Sequence, residues 1–140
     1  MPPFKINQLI TDNFINLNIK EKIFLATAEL SLTDEELAKT YLIDSNLDLT
    51  KINKIFFFNR LSVPAKIRNQ GYGTALMKEL IKLADQKDFL IINTANSYGD
   101  LEQNKLISWY QKFGMQLLNE DGLLIYHQSL KQKNKVKTKF

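Results

Sequence analysis

The sequence predicts one mixed α/β domain built on a central sheet, and three observations predict it. An apolar strand at residues 54–63 runs through a glycine turn into an amphipathic helix, and a second buried strand follows at 89–94; that order makes a parallel crossover. A closing pair of short apolar segments, 117–118 and 123–130, divided by the turn NEDG, adds antiparallel strands at the other end of the chain. The length of 140 residues, 44% of them hydrophobic, suits one core and is too short for two.

Taken in order, residues 6–17 place Ile6, Leu9, Ile10, Phe14 and Leu17 at helical spacing and predict a short amphipathic helix. Residues 22–30 (KIFLATAEL) and 37–43 (LAKTYLI) read as strands joined by the polar turn SLTDEE; the alternative is a helix capped by Thr33 with Glu36 as its partner. Residues 54–63 (KIFFFNRLSV) are apolar on both faces, as a strand central to a sheet requires. In residues 74–84 the side chains Leu76, Met77, Leu80, Ile81, Leu83 and Ala84 form one wide stripe, away from Lys78, Glu79 and Lys82, which predicts a core-facing helix. After the strand FLIINT and the polar loop ANSYGDLEQ, residues 104–113 read as a second helix, with Gly114 placed to cap it. The domain is expected to span residues 1–130. Phe56, Phe57, Phe58 and Trp109 are assigned to its core and not to a base-stacking platform.

The net charge is +4, but the last ten residues, KQKNKVKTKF, hold five lysines and no acid, so the rest of the chain sums to −1. The basicity belongs to a tail, residues 131–140, read as a solvated, disordered end that aids solubility; the alternative is an electrostatic arm for polyanionic partners or an acidic protein surface. The absence of cysteine removes disulfides, thiolate nucleophiles and thiolate metal sites, and a single histidine leaves no metal centre. No signal peptide or membrane-length apolar run stands out, and a cytoplasmic setting is expected.

The chemistry concentrates in IRNQGYGTALMKEL, where two of five glycines stand beside an arginine at the start of a helix. The first turn of a helix exposes unpaired backbone N–H groups with partial positive charge, and missing side chains at Gly71 and Gly73 let a phosphate come close. Arg68 adds a charge-assisted contact. A dinucleotide fingerprint needs a third glycine where Leu76 stands, and a P-loop needs a glycine-lysine-serine ending that GYGTAL lacks. The remaining pattern, R-x-x-G-x-G between a buried strand and an amphipathic helix, resembles the coenzyme A signature of GNAT-type N-acetyltransferases. Leu61 and Val63 stand where that family has Leu-x-Val before the arginine, although Pro64 comes one residue early. Downstream, ISWYQKFGM matches the family's tyrosine, three residues, glycine: Tyr110, Gly114 and Met115 fit. Asn104 lies six residues before the tyrosine, while Ile107 replaces a small residue. The likeness covers roughly residues 56–115 and is nearest to small phage-type and bacterial members.

The resemblance implies a mixed, mostly antiparallel sheet whose two parallel central strands splay apart, with flanking helices. It implies acetyl-coenzyme A as acyl donor, held by Arg68, Asn69, Gln70, Gly71, Tyr72, Gly73 and Thr74, by the backbone of Leu61 and Val63, and by Asn104. Direct attack by an amine needs positioning and no covalent intermediate on the protein, and an amide of Leu61 or Val63 can steady the oxyanion. Tyr110 is the candidate general acid for the departing thiolate, because a phenol stays protonated at neutral pH.

No Asp, Glu or His lies between Ile55 and Arg68, so the base is not visible there; Asp100 and Glu102, acting through water, and His127, expected on the last strand, are the distant candidates. Asn93 and Asn96 are read as strand-ending turn residues. The acceptor class stays open between a protein amine, a small polyamine-like amine and an aminoacyl-tRNA. The contrasting reading is a non-catalytic protein of this fold that binds coenzyme A or a macromolecular partner.

Overall fold

The computed structural model describes residues 4–43, 45, 47–52, 54–95 and 102–130. Its seven-stranded sheet has the order β1-β2-β3-β4-β5-β7-β6, with β1 Asn7–Ile10, β2 Phe14–Glu21, β3 Phe24–Leu32, β4 Lys54–Ser62, β5 Phe89–Thr94, β6 Gln116–Leu117 and β7 Leu123–Tyr126. Helix α1 is Glu35–Tyr41, α2 is Tyr72–Lys87 and α3 is Gln103–Gln111. Among the described residues only β4 and β5 run parallel; every other neighbouring pair is antiparallel. The predicted crossover and mixed sheet are therefore present. Among the described residues no helix is long and apolar enough to cross a membrane.

Three expectations are corrected. The helix predicted over 6–17 is a hairpin of β1 and β2, closed by Thr11 N–H donating to the Phe14 carbonyl at 2.8 Å. Beyond the turn the true period is two: Ile15, Leu17 and Ile19 are buried while Asn16 and Asn18 alternate with them. The strand predicted over 37–43 is α1, so the helical alternative holds. Its cap is Asp34 in place of Thr33, with Oδ1 accepting from the amides of Glu36 at 2.8 Å and Leu37 at 3.3 Å. Ala38 and Leu42, one turn apart, are the side chains it buries. The last strand ends at Tyr126, and His127 lies just past it.

Alternation within β5 and β7 sorts the core into two layers. Phe89, Ile91, Leu124 and Tyr126 join the larger cluster with α2 and α3, while Leu90, Ile92, Leu123 and Ile125 join Ala38 and Leu42 of α1. Helix α2 is thereby pressed onto one face of the sheet by Leu76, Met77, Leu80 and Ala84, all fully buried. Its carboxyl end is fastened to the end of β7. Tyr126 Oη donates to Asp85 Oδ1 at 2.6 Å, Gln128 Nε2 donates to Asp88 Oδ1 at 2.7 Å, and His127 Nε2 lies 2.8 Å from the same oxygen. Because Ser129 N–H donates to His127 Nδ1, Nε2 is the ring nitrogen placed to donate to Asp88.

The bond from Gln128, then that from His127, holds the Asp88 carboxyl below the usual range, outweighing burial. A depressed folded pKa stabilises above the unfolded value of about 3.9 and the contribution is lost as pH falls through the lower folded value. Asp88→Asn should accordingly flatten the acid side of a plot of Tm against pH, read by thermal melts from neutral pH downward.

Candidate active site between the splayed strands

The parallel ladder between β4 and β5 runs from Lys54 opposite Phe89 to Phe57 opposite Ile92 and stops there. Beyond it β4 stays bonded to β3, and β5 to β7. A wedge opens between the two strands. Its cause is local: the neighbours Glu29 and Leu30 of β3 face Arg60 and Phe58 of β4, so Asn59 is an extra residue in β4 that bends the strand.

From the outer end of β4 the chain passes Pro64 and a 3-10 turn at Ala65–Ile67, whose Ile67 is buried. Asn69 and Gly71 then take left-handed backbone angles, φ 63° and φ 90°, to turn the chain into α2. The first bond inside the helix is Ala75 N–H to the Gly71 carbonyl, so the amides of Tyr72, Gly73 and Thr74 have no partner within it. Gly71 supplies no side-chain cap, and the turn expected to hold a diphosphate is not sealed by side chains.

The two glycines differ in their reasons. Gly71 is required by its positive φ. Gly73 has no such angle; a Cβ there would rest 3.7 Å from the Trp109 ring and 3.7 Å from Val63 Cγ2, ordinary contact distances. Neither its backbone angle nor its surroundings demand a glycine at position 73.

Other residues of the run behave less uniformly. Arg68 folds back, its Nε donating to the Val63 carbonyl at 2.9 Å. The Val63 carbonyl, expected to be free for a bound chain, is thus already engaged. Tyr72 turns its ring inward onto Phe4, with centroids 4.4 Å apart, so only its backbone faces the turn. Burial, then the bond and charge of Glu21, push its hydroxyl pKa upward. Asn69 and Gln70 are exposed and Thr74 is half-buried. Asn104, also exposed, lines a groove of about 400 Å³ with Lys105, Ser108, Trp109 and Lys112 along α3.

Helix α3 carries Tyr110 into the core face, where it is 6% exposed. The ring stands edge-on to Phe58 of β4 at 6.2 Å and to Trp109 at 5.3 Å. Burial raises its pKa, and a hydrogen bond from Asn93 opposes that rise. The phenol is therefore protonated at neutral pH. Asn93 itself, 2% exposed at the end of β5, also sets its Nδ2 3.6 Å from Met115 Sδ. The turn reading of Asn93 is corrected: it lies within β5, and the alternation of Phe89, Ile91 and Asn93 puts it on the helix-covered face.

His127 is not brought to this place; it belongs to the fastening at the opposite end of α2. Glu102 is exposed at the start of α3 and makes no capping bond. Asn96, Asp100 and the lysine tail lie outside the described residues. Among the described residues no cluster of His, Asp or Glu could hold a metal ion.

Two solved structures are similar to this chain at a TM-score of 0.52 each. One is the Bacillus subtilis N-acetyltransferase YlbP in complex with coenzyme A, at 16% identity over 84% of this chain and 68% of that one. The other is Arabidopsis thaliana NAA60 in complex with acetyl-CoA, at 16% identity over 85% and 78%. At that identity they establish the fold. No curated protein sequence matches. The sequence model of the acetyltransferase (GNAT) family matches residues 14–115, from the first core strand through Tyr110 and Met115; the chain is a member of that family.

Proposed function

We propose that the protein transfers an acetyl group from acetyl-coenzyme A to a primary amine. The observation that carries this reading is the set of open amides at Tyr72, Gly73 and Thr74, beside the wedge between β4 and β5. Family membership and the coenzyme A or acetyl-CoA in the two similar structures support it.

When bound, acetyl-CoA supplies an activated acyl group as a thioester. The amides of α2 hold its diphosphate, aided by the helix dipole. The parted edge of β4 near Leu61 pairs with the extended arm as an added strand would. An amide of Leu61 or Val63 steadies negative charge on the acyl oxygen. Tyr110, held by Asn93, donates a proton to the departing sulfur. Residues up to 130 form one working domain. The lysine tail is available to a polyanionic acceptor, and the acceptor classes remain a protein amine, a small polyamine-like amine and an aminoacyl-tRNA.

Calorimetric titration with acetyl-CoA is the first test, and absence of binding overturns the proposal. Mass spectrometry of cell extracts incubated with the protein and labelled acetyl-CoA then reports the acceptor. Binding without acceptor-dependent thiol release would favour the non-catalytic reading.

A further inference from the structure

Strands β3, β4 and β5 carry a single carboxylate between them, that of Glu29. The bulge fixes its place. Glu29 pairs with Arg60, the residue directly after the extra Asn59, so it stands one strand spacing, about 4.8 Å, from the strand whose far edge lines the wedge. Its neighbours Ala28 and Leu30 point into the core with α2 and α3, and alternation therefore turns Glu29 to the opposite face. That face is open at this point: Asn59 and Arg60 are exposed, and Glu29, Thr27 and Asn16 are half-buried.

Opposite charges in register on neighbouring strands ordinarily form a modest cross-strand pair. Here no ion pair or hydrogen bond among the described residues engages the Glu29 carboxylate. Arg60 is the charged group in its row, and β2 presents the neutral Asn16 across from it. The carboxylate is thus available, on the side of the sheet away from Tyr110.

We propose that Glu29 receives the acceptor's ammonium group and removes its proton before acetyl transfer, an assignment that rests on the acetyltransferase reading above. An alkylammonium ion has no lone pair, so a proton must leave before attack. Glu29 accepts that proton, directly or through one water, and releases it to solvent. The neutral amine forms the C–N bond as the C–S bond breaks, and the sulfur takes the proton of Tyr110. The tyrosine is restored by the second proton that the nitrogen sheds in becoming an amide.

The test uses the full chain with saturating acetyl-CoA and follows thiol release with two amines of similar size. Ethylamine is a cation at neutral pH, whereas trifluoroethylamine is already neutral. Because the face is open, wild-type protein is expected to use both. Glu29→Gln should slow ethylamine by about a hundredfold or more, leave trifluoroethylamine unchanged and keep the wild-type melting temperature; Glu29→Asp should restore part of the ethylamine rate. Equal losses with both amines, no loss with ethylamine, or a wild type that binds acetyl-CoA yet acetylates neither amine would each overturn the assignment. Failure of the wild type to bind acetyl-CoA would instead remove the acetyltransferase reading, and Glu29 with it.

Discussion

Gly73→Glu is expected to weaken acetyl-CoA binding by about a hundredfold or more, since a carboxylate against a diphosphate is a like-charge contact costing several kcal/mol. The variant is a clean probe because of what surrounds the position. Its Cβ meets Trp109 and Val63 at ordinary distances, and its backbone angle is one that any residue adopts. Gly73→Ala should therefore keep the melting temperature and lose less affinity. The equivalent change at Gly71 is a poorer probe: φ 90° there strains any side chain, so lost binding and lost structure would be confounded. Calorimetry alongside thermal melts reads both quantities. Unchanged affinity in Gly73→Glu would show that the amides of α2 do not hold the diphosphate.

Tyr110→Phe is expected to lower kcat for amine acetylation by about a hundredfold or more, within the range that general acids contribute, while leaving acetyl-CoA affinity at the wild-type value. The ring contacts with Phe58 and Trp109 survive the change, so the fold should too. Asn93 supplies a companion measurement. It lowers the hydroxyl pKa against the larger upward effect of burial, so Asn93→Ala should move the alkaline limb of the rate profile to higher pH. A merely structural asparagine would not shift that limb. Thiol release by Tyr110→Phe at the wild-type rate would remove the tyrosine from the chemistry.

How far the fold was legible depended on whether a segment's pattern was unambiguous at its own length. FLIINT gave β5 to the residue, because both faces are buried and Asp88 breaks the preceding helix with a left-handed angle. The stripe of α2 was equally plain over about three turns, though the helix starts two residues before the predicted Thr74 and runs three residues past Ala84. Short apolar runs misled in both directions. LAKTYLI suits either structure by composition, and the Asp34 cap decided for a helix. Residues 6–17 mimic a helical period only because a hairpin turn falls inside the window and resets the alternation.

Within the candidate site, the motif residues were legible because they are contiguous, and the structure does gather Val63, Gly73 and Trp109 around one turn. Partners supplied from elsewhere were not. Asn93 meets Tyr110 only when α3 folds back over β5, and Glu29 lies beside the wedge only through the strand register. The direction of the Tyr72 ring was hidden for the same reason, since Phe4 stands far from it along the chain.

The fastening at the carboxyl end of α2 has a mechanical consequence. A helix of 16 residues is a stiff rod of about 24 Å, anchored to β7 at one tip by Asp85 and Asp88 and presenting its loose amides at the other. The same rod is also clamped along its length by the buried Leu76, Met77, Leu80 and Ala84, so anchor and core together fix where those amides point. Substitutions near Asp88 should therefore cost stability before they disturb the proposed diphosphate contact.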